Sequence, residues 1–240
     1  MATADQAHGG KDRFADHFGL FRQLRSAAAA DWEAYVRHPF VRALADGSLP
    51  EECFRHYLIQ DYLFLGHLAR AYGLASFKAE NLDDLRAAAD ALNAIINKEM
   101  HLHLDYCGGW GLTAADAATA AEAPATIAYT RFVLDRGVAG DLLDLWVALT
   151  PCVIGYAEIG AGLAADPKTG GVGNPYRAWI ETYAGSDYQA VAWIHGERME
   201  SLMARRGGPS RIPSLIETFR TATRLETAFW DMGLASPAYV

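Results

Sequence analysis

Three places in the chain set a reactive or charged side chain among apolar ones, where burying it unpaired costs about 1–3 kcal/mol or more. In "RHYLIQDYLFLGHL", apolar on nearly every face, Asp61 stands mid-segment with Tyr57, Phe64 and Leu68 on its own helical face. A carboxylate beside aromatic rings suits a cationic or aminated flat ligand; a surface position or a core hydrogen bond would also account for it. In "RLETAFWDM", Glu226 shares a face with Phe229 and Trp230, again a carboxylate against aromatics unless it turns to solvent. In "LWVALTPCVIGYAEIG", Pro151 lacks an N–H and clashes with the carbonyl of Val147, four residues back. The sequence predicts that this helix opens and restarts, which would set Cys152 near a fresh helix N-terminus, where N–H dipoles favour a thiolate. Tyr156, one turn on, points the same way and could donate a hydrogen bond. The alternative is a cysteine serving only as a small buried hydrophobe.

Other candidate groups lack support. His101 and His103 in "KEMHLHLDY", with Glu99 four residues before His103, invite a metal reading. Di-iron bundles use Glu-x-x-His, three apart, a spacing this chain lacks, so both histidines read as structural. Cys53 and Cys107 have no supporting constellation and read as packing residues. With no CxxC pair and no Cys/His metal spacing, neither a disulfide framework nor a zinc site is expected, and a reducing cytoplasm fits.

The elements that must position these residues are helical, and no convincing alternating strand occurs. A helix is expected over about Gly19 to Val36, broken at "HPF", where Pro39 forces His38 out of helical geometry. After the turn at Asp46-Gly47, Ser48 and Pro50 are expected to open a long helix to about Ala79. Asn81 caps the next, ending at Gly108-Gly109. A short piece follows near Thr113 to Ala121, then helices from Pro124 to Gly137 and from about Gly140 to Ala165. Beyond the loop "DPKTGGVGNP" come helices from Pro175 to Ala184, from Ser186 to Arg206 (opening with the capping-box pattern "SDYQ"), and to about Met232. The fold class is therefore all-α, a single-domain multi-helix bundle over residues 17–240, after a flexible N-terminal segment, 1–16.

The bulk composition is compatible with that core: 240 residues, 51% hydrophobic, enough for one well-filled domain. A net charge of −8 without charge blocks argues against nucleic acid or an anionic membrane as partner. The apolar run from Leu145 to Ala157, bounded by Asp144 and Glu158, is too short to span a bilayer.

Four segments, "HPFVRALADGSLPEECFRHYLIQDYLFL", "LTPCVIGYAEIG", "NPYRAWIETYAG" and "LETAFWDM", resemble the TenA family, the type II thiaminases, in order and spacing. The resemblance implies a haem-oxygenase-like bundle assembled as a homotetramer, acting without metal or other cofactor. It implies hydrolysis at the methylene carbon of a 4-amino-2-methylpyrimidine, releasing ammonia from the aminomethylpyrimidine or the thiazolium from thiamin. The product, hydroxymethylpyrimidine, would feed thiamin salvage. Matched by motif, Cys152 takes the nucleophile position and Glu226 that of the catalytic carboxylate. Asp61 takes the position of the carboxylate that holds the aminopyrimidine, and Tyr129, Tyr156 and Tyr183 fall on aromatic pocket positions. Phe64 stands where some members carry tyrosine, keeping the ring and removing a hydroxyl. Two rivals stand beside this reading: a non-catalytic pyrimidine- or thiamin-binding regulatory protein, and a haem- or iron-dependent oxygenase on the same bundle.

Overall fold

The computed structural model describes residues 13–109, 113–167, 169 and 173–235, and among these no strand occurs. Of the N-terminal segment expected to be flexible, residues 1–12 lie outside the described residues. Arg13–His17 form a short helix, α1, with Phe14 buried. The helix expected over 19–36 is two, α2 (Gly19–Ala27) and α3 (Ala29–Val36), because Ala28 leaves helical geometry at φ −114°, ψ 28°. His38 ends this stretch as foreseen, its ring Nδ1 accepting from the Phe40 N–H to cap α4 (Pro39–Asp46).

The long helix α5 (Glu51–Lys78) begins after Pro50 without a side-chain cap. Ser48 instead gives its N–H to Asp46 in the preceding turn. Asn81 caps α6 (Leu82–Ala94), which widens into a π turn at Ile95–Glu99 and continues as α7 (Met100–Gly109). Beyond α8 (Ala114–Thr119) and α9 (Pro124–Ala139), Asp141 caps α10 (Leu142–Thr150). A second π turn, Pro151–Gly155, joins α10 to α11 (Tyr156–Ala165).

That second turn corrects the expected break at Pro151. Its backbone stays right-handed helical throughout, from φ −60°, ψ −43° at Pro151 to φ −63°, ψ −46° at Gly155. A π turn carries one extra residue per loop, which relieves the clash of the proline ring and frees backbone carbonyls. Side chains from elsewhere take them: the Tyr35 hydroxyl donates to Pro151 O at 3.2 Å and the Tyr188 hydroxyl to Cys152 O at 3.2 Å. Helical segment Leu142–Ala165 is long and apolar enough to cross a membrane, but 89% of its apolar window is buried inside the protein, as befits a core helix.

The chain closes with α12 (Arg177–Ala184), α13 (Ser186–Arg206), a 3-10 turn (Pro209–Arg211) and α14 (Ile212–Leu234). The capping box expected at Ser186 does not form. Gln189 turns inward and donates to Ala157 O and Tyr183 O, both at 2.8 Å, tying α11 to α12. Gly160 permits that close approach, since a Cβ there would fall 2.6 Å from the Tyr183 carbonyl carbon. In the core, α14 packs on α3, α5, α9 and α10, and Trp230 stacks on Phe40 at 4.8 Å.

Candidate active site

The helices α5, α9, α12, α13 and α14 and both π turns surround a cavity of about 180 Å³. Asp61, Phe64, Tyr129, Cys152, Tyr156, Tyr183 and Glu226, singled out from five separate stretches of sequence, all line it. Its walls are largely aromatic. Phe64 lies 5.0 Å from Tyr129 and 5.8 Å from Phe229, ring centre to ring centre, and Tyr156 lies 5.0 Å from Tyr183.

Two polar chains reach this cavity. In the first, the Tyr129 hydroxyl donates to Glu226 Oε1 at 2.8 Å and also lies against the Cys152 sulfur, where it favours the thiolate. Glu226 is 2% exposed, and burial, with Asp61 adding to it against the Tyr129 bond, pushes its carboxyl up to about 8. Cys152 donates its thiol proton to Leu149 O at 3.0 Å. Burial, and then the Glu226 and Glu99 charges, raise this thiol well above its ordinary value. The expected activation at a fresh helix N-terminus is therefore corrected. The helix does not restart, no row of free N–H groups meets the sulfur, and the resting side chain is a neutral thiol.

In the second chain, Asp61 Oδ2 accepts from the Tyr57 hydroxyl at 3.1 Å and pairs with His103 Nε2 at 2.7 Å. Burial works to lower the His103 pKa, but the bond to Asp61 and its charge outweigh that, and the net shift is upward. The other ring nitrogen bonds to Glu99 O at 2.8 Å, which fixes the ring on its own helix. Tyr57 is held in turn by Trp179 Nε1 at 3.3 Å, and its hydroxyl lies 3.4 Å from that of Tyr156.

The sequence reading missed several of these groups. His103 was read as structural, and it does sit in the core, yet it is the direct partner of a cavity carboxylate. Its i, i+4 spacing from Glu99 signals only the ring's bond to the Glu99 carbonyl, and the pairing with Asp61, 42 positions away, leaves no local signature. Glu99, Tyr188, His195 and Phe229 also line the cavity. His101 is exposed, and among the described residues no cluster of histidine, cysteine or carboxylate side chains has the form of a metal site. Cys53 is buried with its thiol 3.6 Å from Leu234 O; the Cys107 side chain lies outside the described residues.

The chain resembles proteins already known. It is 41% identical over 216 residues to an uncharacterized protein of Haemophilus influenzae, covering 90% of this chain and 99% of that one. It is 37% identical over 212 residues to an aminopyrimidine aminohydrolase of Halalkalibacterium halodurans, covering 87% and 92%. A crystal structure from Silicibacter sp. TM1040, described as a TenA family transcription regulator, superposes with a TM-score of 0.86 at 43% identity over 91% of this chain and 98% of that one. A domain from Shewanella denitrificans with a heme oxygenase-like fold superposes at 0.67 with 14% identity, over 89% and 91%, a likeness of fold alone. The TENA/THI-4/PQQC family model matches residues 25–236, and with the site geometry above this establishes that the chain belongs to that family.

Proposed function

We propose that the protein is a hydrolase of thiamin salvage, converting 4-amino-5-aminomethyl-2-methylpyrimidine, thiamin, or both to the hydroxymethylpyrimidine, with Cys152 as covalent nucleophile. The observation that carries this reading is the convergence of a thiol, a proton-holding carboxyl and an aromatic-flanked carboxylate on one buried cavity. The aminopyrimidine aminohydrolase of Halalkalibacterium halodurans supports it by likeness along 92% of that protein's length.

In this mechanism the pyrimidine lies between the rings of Phe64, Tyr129, Tyr156 and Tyr183, with its amino edge at Asp61. His103 and Tyr57 occupy one oxygen of Asp61, leaving the other for the ligand. The thiol proton passes to Glu226 in its ionised form, by way of the Tyr129 hydroxyl, as sulfur bonds to a ring carbon conjugated with the methylene. The electron pair gained by the ring then expels the substituent, as ammonia from an ammonium or as a neutral thiazole from a thiazolium. Water adds to the exocyclic methylene, the returning electrons release sulfur as thiolate, and Glu226 gives its proton back. The proton lost by water leaves with ammonia or to solvent. Because the resting thiol is neutral, its proton must move as sulfur attacks, which is why a carboxyl titrating at about 8, and so partly ionised near neutral pH, is useful beside it.

Product formation measured by chromatography tests the reading. The parent protein should release hydroxymethylpyrimidine from one or both substrates, and Cys152→Ala should lose at least roughly a hundredfold, about 2.7 kcal/mol in the barrier. Turnover of neither compound by the parent would defeat the assignment. A pyrimidine-binding regulator is the competing reading, in keeping with the description of the Silicibacter relative. It requires that the parent bind a pyrimidine without turnover and that Cys152→Ala bind it equally well. A homotetramer working in the cytoplasm completes the proposal.

A further inference from the structure

The mechanism leaves one half-buried acid of the cavity without a task. Glu99 lies in the first π turn and lines the same cavity as Glu226. Asp61 is bonded by Tyr57 and His103, and Glu226 by Tyr129. The Glu99 carboxyl has no hydrogen-bond donor among the described residues, and only its backbone carbonyl is engaged. Its charge acts on Cys152 and Tyr183 of the aromatic site and also on Tyr72 and Tyr188, which line the same cavity. Leu68, Ala91, Ile95, Ile194 and the exposed Asp90 complete the lining beyond that site.

Among the described residues no lysine or arginine lines the cavity, and the His103 ring, the cationic group beside it, is bonded to Asp61 rather than to Glu99. A half-buried carboxyl without a donor is costly in its charged form, and desolvation, with Asp61 adding to it, pushes Glu99 up to about 7 although His103 works the other way. A positively charged ligand group would supply the missing partner, and the tyrosine faces around it would favour the same charge.

We propose that Glu99 binds the cationic substituent on the substrate's methylene and so selects ligands whose leaving group carries a positive charge. This rests on the pyrimidine reading above. With the amino edge of the ring at Asp61 and Glu226 bonded to Tyr129, Glu99 is the carboxyl of the same cavity left to meet the substituent. Both candidate substrates comply: the aminomethyl group is an ammonium at neutral pH, and thiamin carries a thiazolium.

Equilibrium binding, followed by calorimetry on the turnover-blocked Cys152→Ser protein, tests the assignment with three compounds. They are thiamin, the aminomethylpyrimidine, and the methoxymethylpyrimidine, whose substituent is neutral. Adding Glu99→Gln should weaken the two cationic ligands by roughly tenfold or more and alter the neutral one by less than about twofold. Thiamin keeps its charge across the range, so its affinity should rise from about pH 6 to pH 8 with Glu99 present, and rise less with glutamine, as a carboxyl centred near 7 requires. Asp61 and Tyr72 on α5, His103 on α7, Cys152, Tyr183, Tyr188 and Glu226 face the same cavity and are common to both proteins, so the difference isolates Glu99. Equal weakening of all three compounds would make Glu99 a shaping residue only, and undiminished binding of the cations would remove it from the site. Should Cys152→Ser bind none of the three before Glu99 is touched, the pyrimidine reading itself falls and the proposal with it.

Discussion

At the scale of single residues, the cavity stores protons. Glu226 holds one up to about pH 8 in the folded protein, whereas the unfolded side chain releases it near 4.5. The folded state thus binds more protons between those values, and stability must decline as pH rises through that window. Glu226→Gln removes the decline. Melting curves of parent and variant should nearly coincide near pH 4.5 and separate by about pH 8, the variant higher, by an amount on the order of a few kcal/mol. A variant that melted lower at both values would mean that the carboxyl stabilises the core. The identity of the polar residues that line the cavity was legible in the sequence because carboxylates and a thiol stood inside apolar helical stretches. The protonation states were not. The neutral thiol of Cys152 follows from Glu226 and Glu99, 74 and 53 positions away in the chain, and from burial that no local pattern records.

At the scale of elements, both π turns face the cavity, one bearing Glu99 and the other Cys152. The second is held open from outside, by the Tyr35 hydroxyl at Pro151 O and the Tyr188 hydroxyl at Cys152 O. Gly155 closes this turn, and a Cβ there would fall 2.7 Å from the Tyr35 hydroxyl oxygen, inside contact distance. Gly155→Ala should therefore push Tyr35 off Pro151 and destabilise the fold by about 1–3 kcal/mol, a drop of several degrees in Tm by calorimetry. An unchanged Tm would show that the turn adapts freely. The cap at Asn81 and the break at His38 were readable because a cap and a proline's steric demand are local devices. The outcome at Pro151 was not, because whether a proline breaks a helix or widens it depends on which distant donors take the freed carbonyls. Gln189 makes the same point: a local capping-box pattern yields to tertiary acceptors on α11 and α12.

At the scale of the whole molecule, the most exposed large apolar side chains among the described residues are Phe77 at 86% and Val138 at 68%. They are brought near one another where Lys78 at the end of α5 donates to Val138 O. Such a pair fits an assembly interface. If the protein is the proposed homotetramer, sedimentation will give four times the 26.1 kDa chain, and Phe77→Glu will shift it to smaller species. A parent that sediments as one chain ends that part of the proposal. The bundle also draws its reactive groups from widely separated stretches: Asp61 on α5, Tyr129 on α9, Cys152 in the second π turn, Glu226 on the final helix. During synthesis Cys152 therefore leaves the ribosome well before Glu226, 74 positions later, and until α14 docks a nascent chain carries the thiol in a cavity that lacks one of its walls.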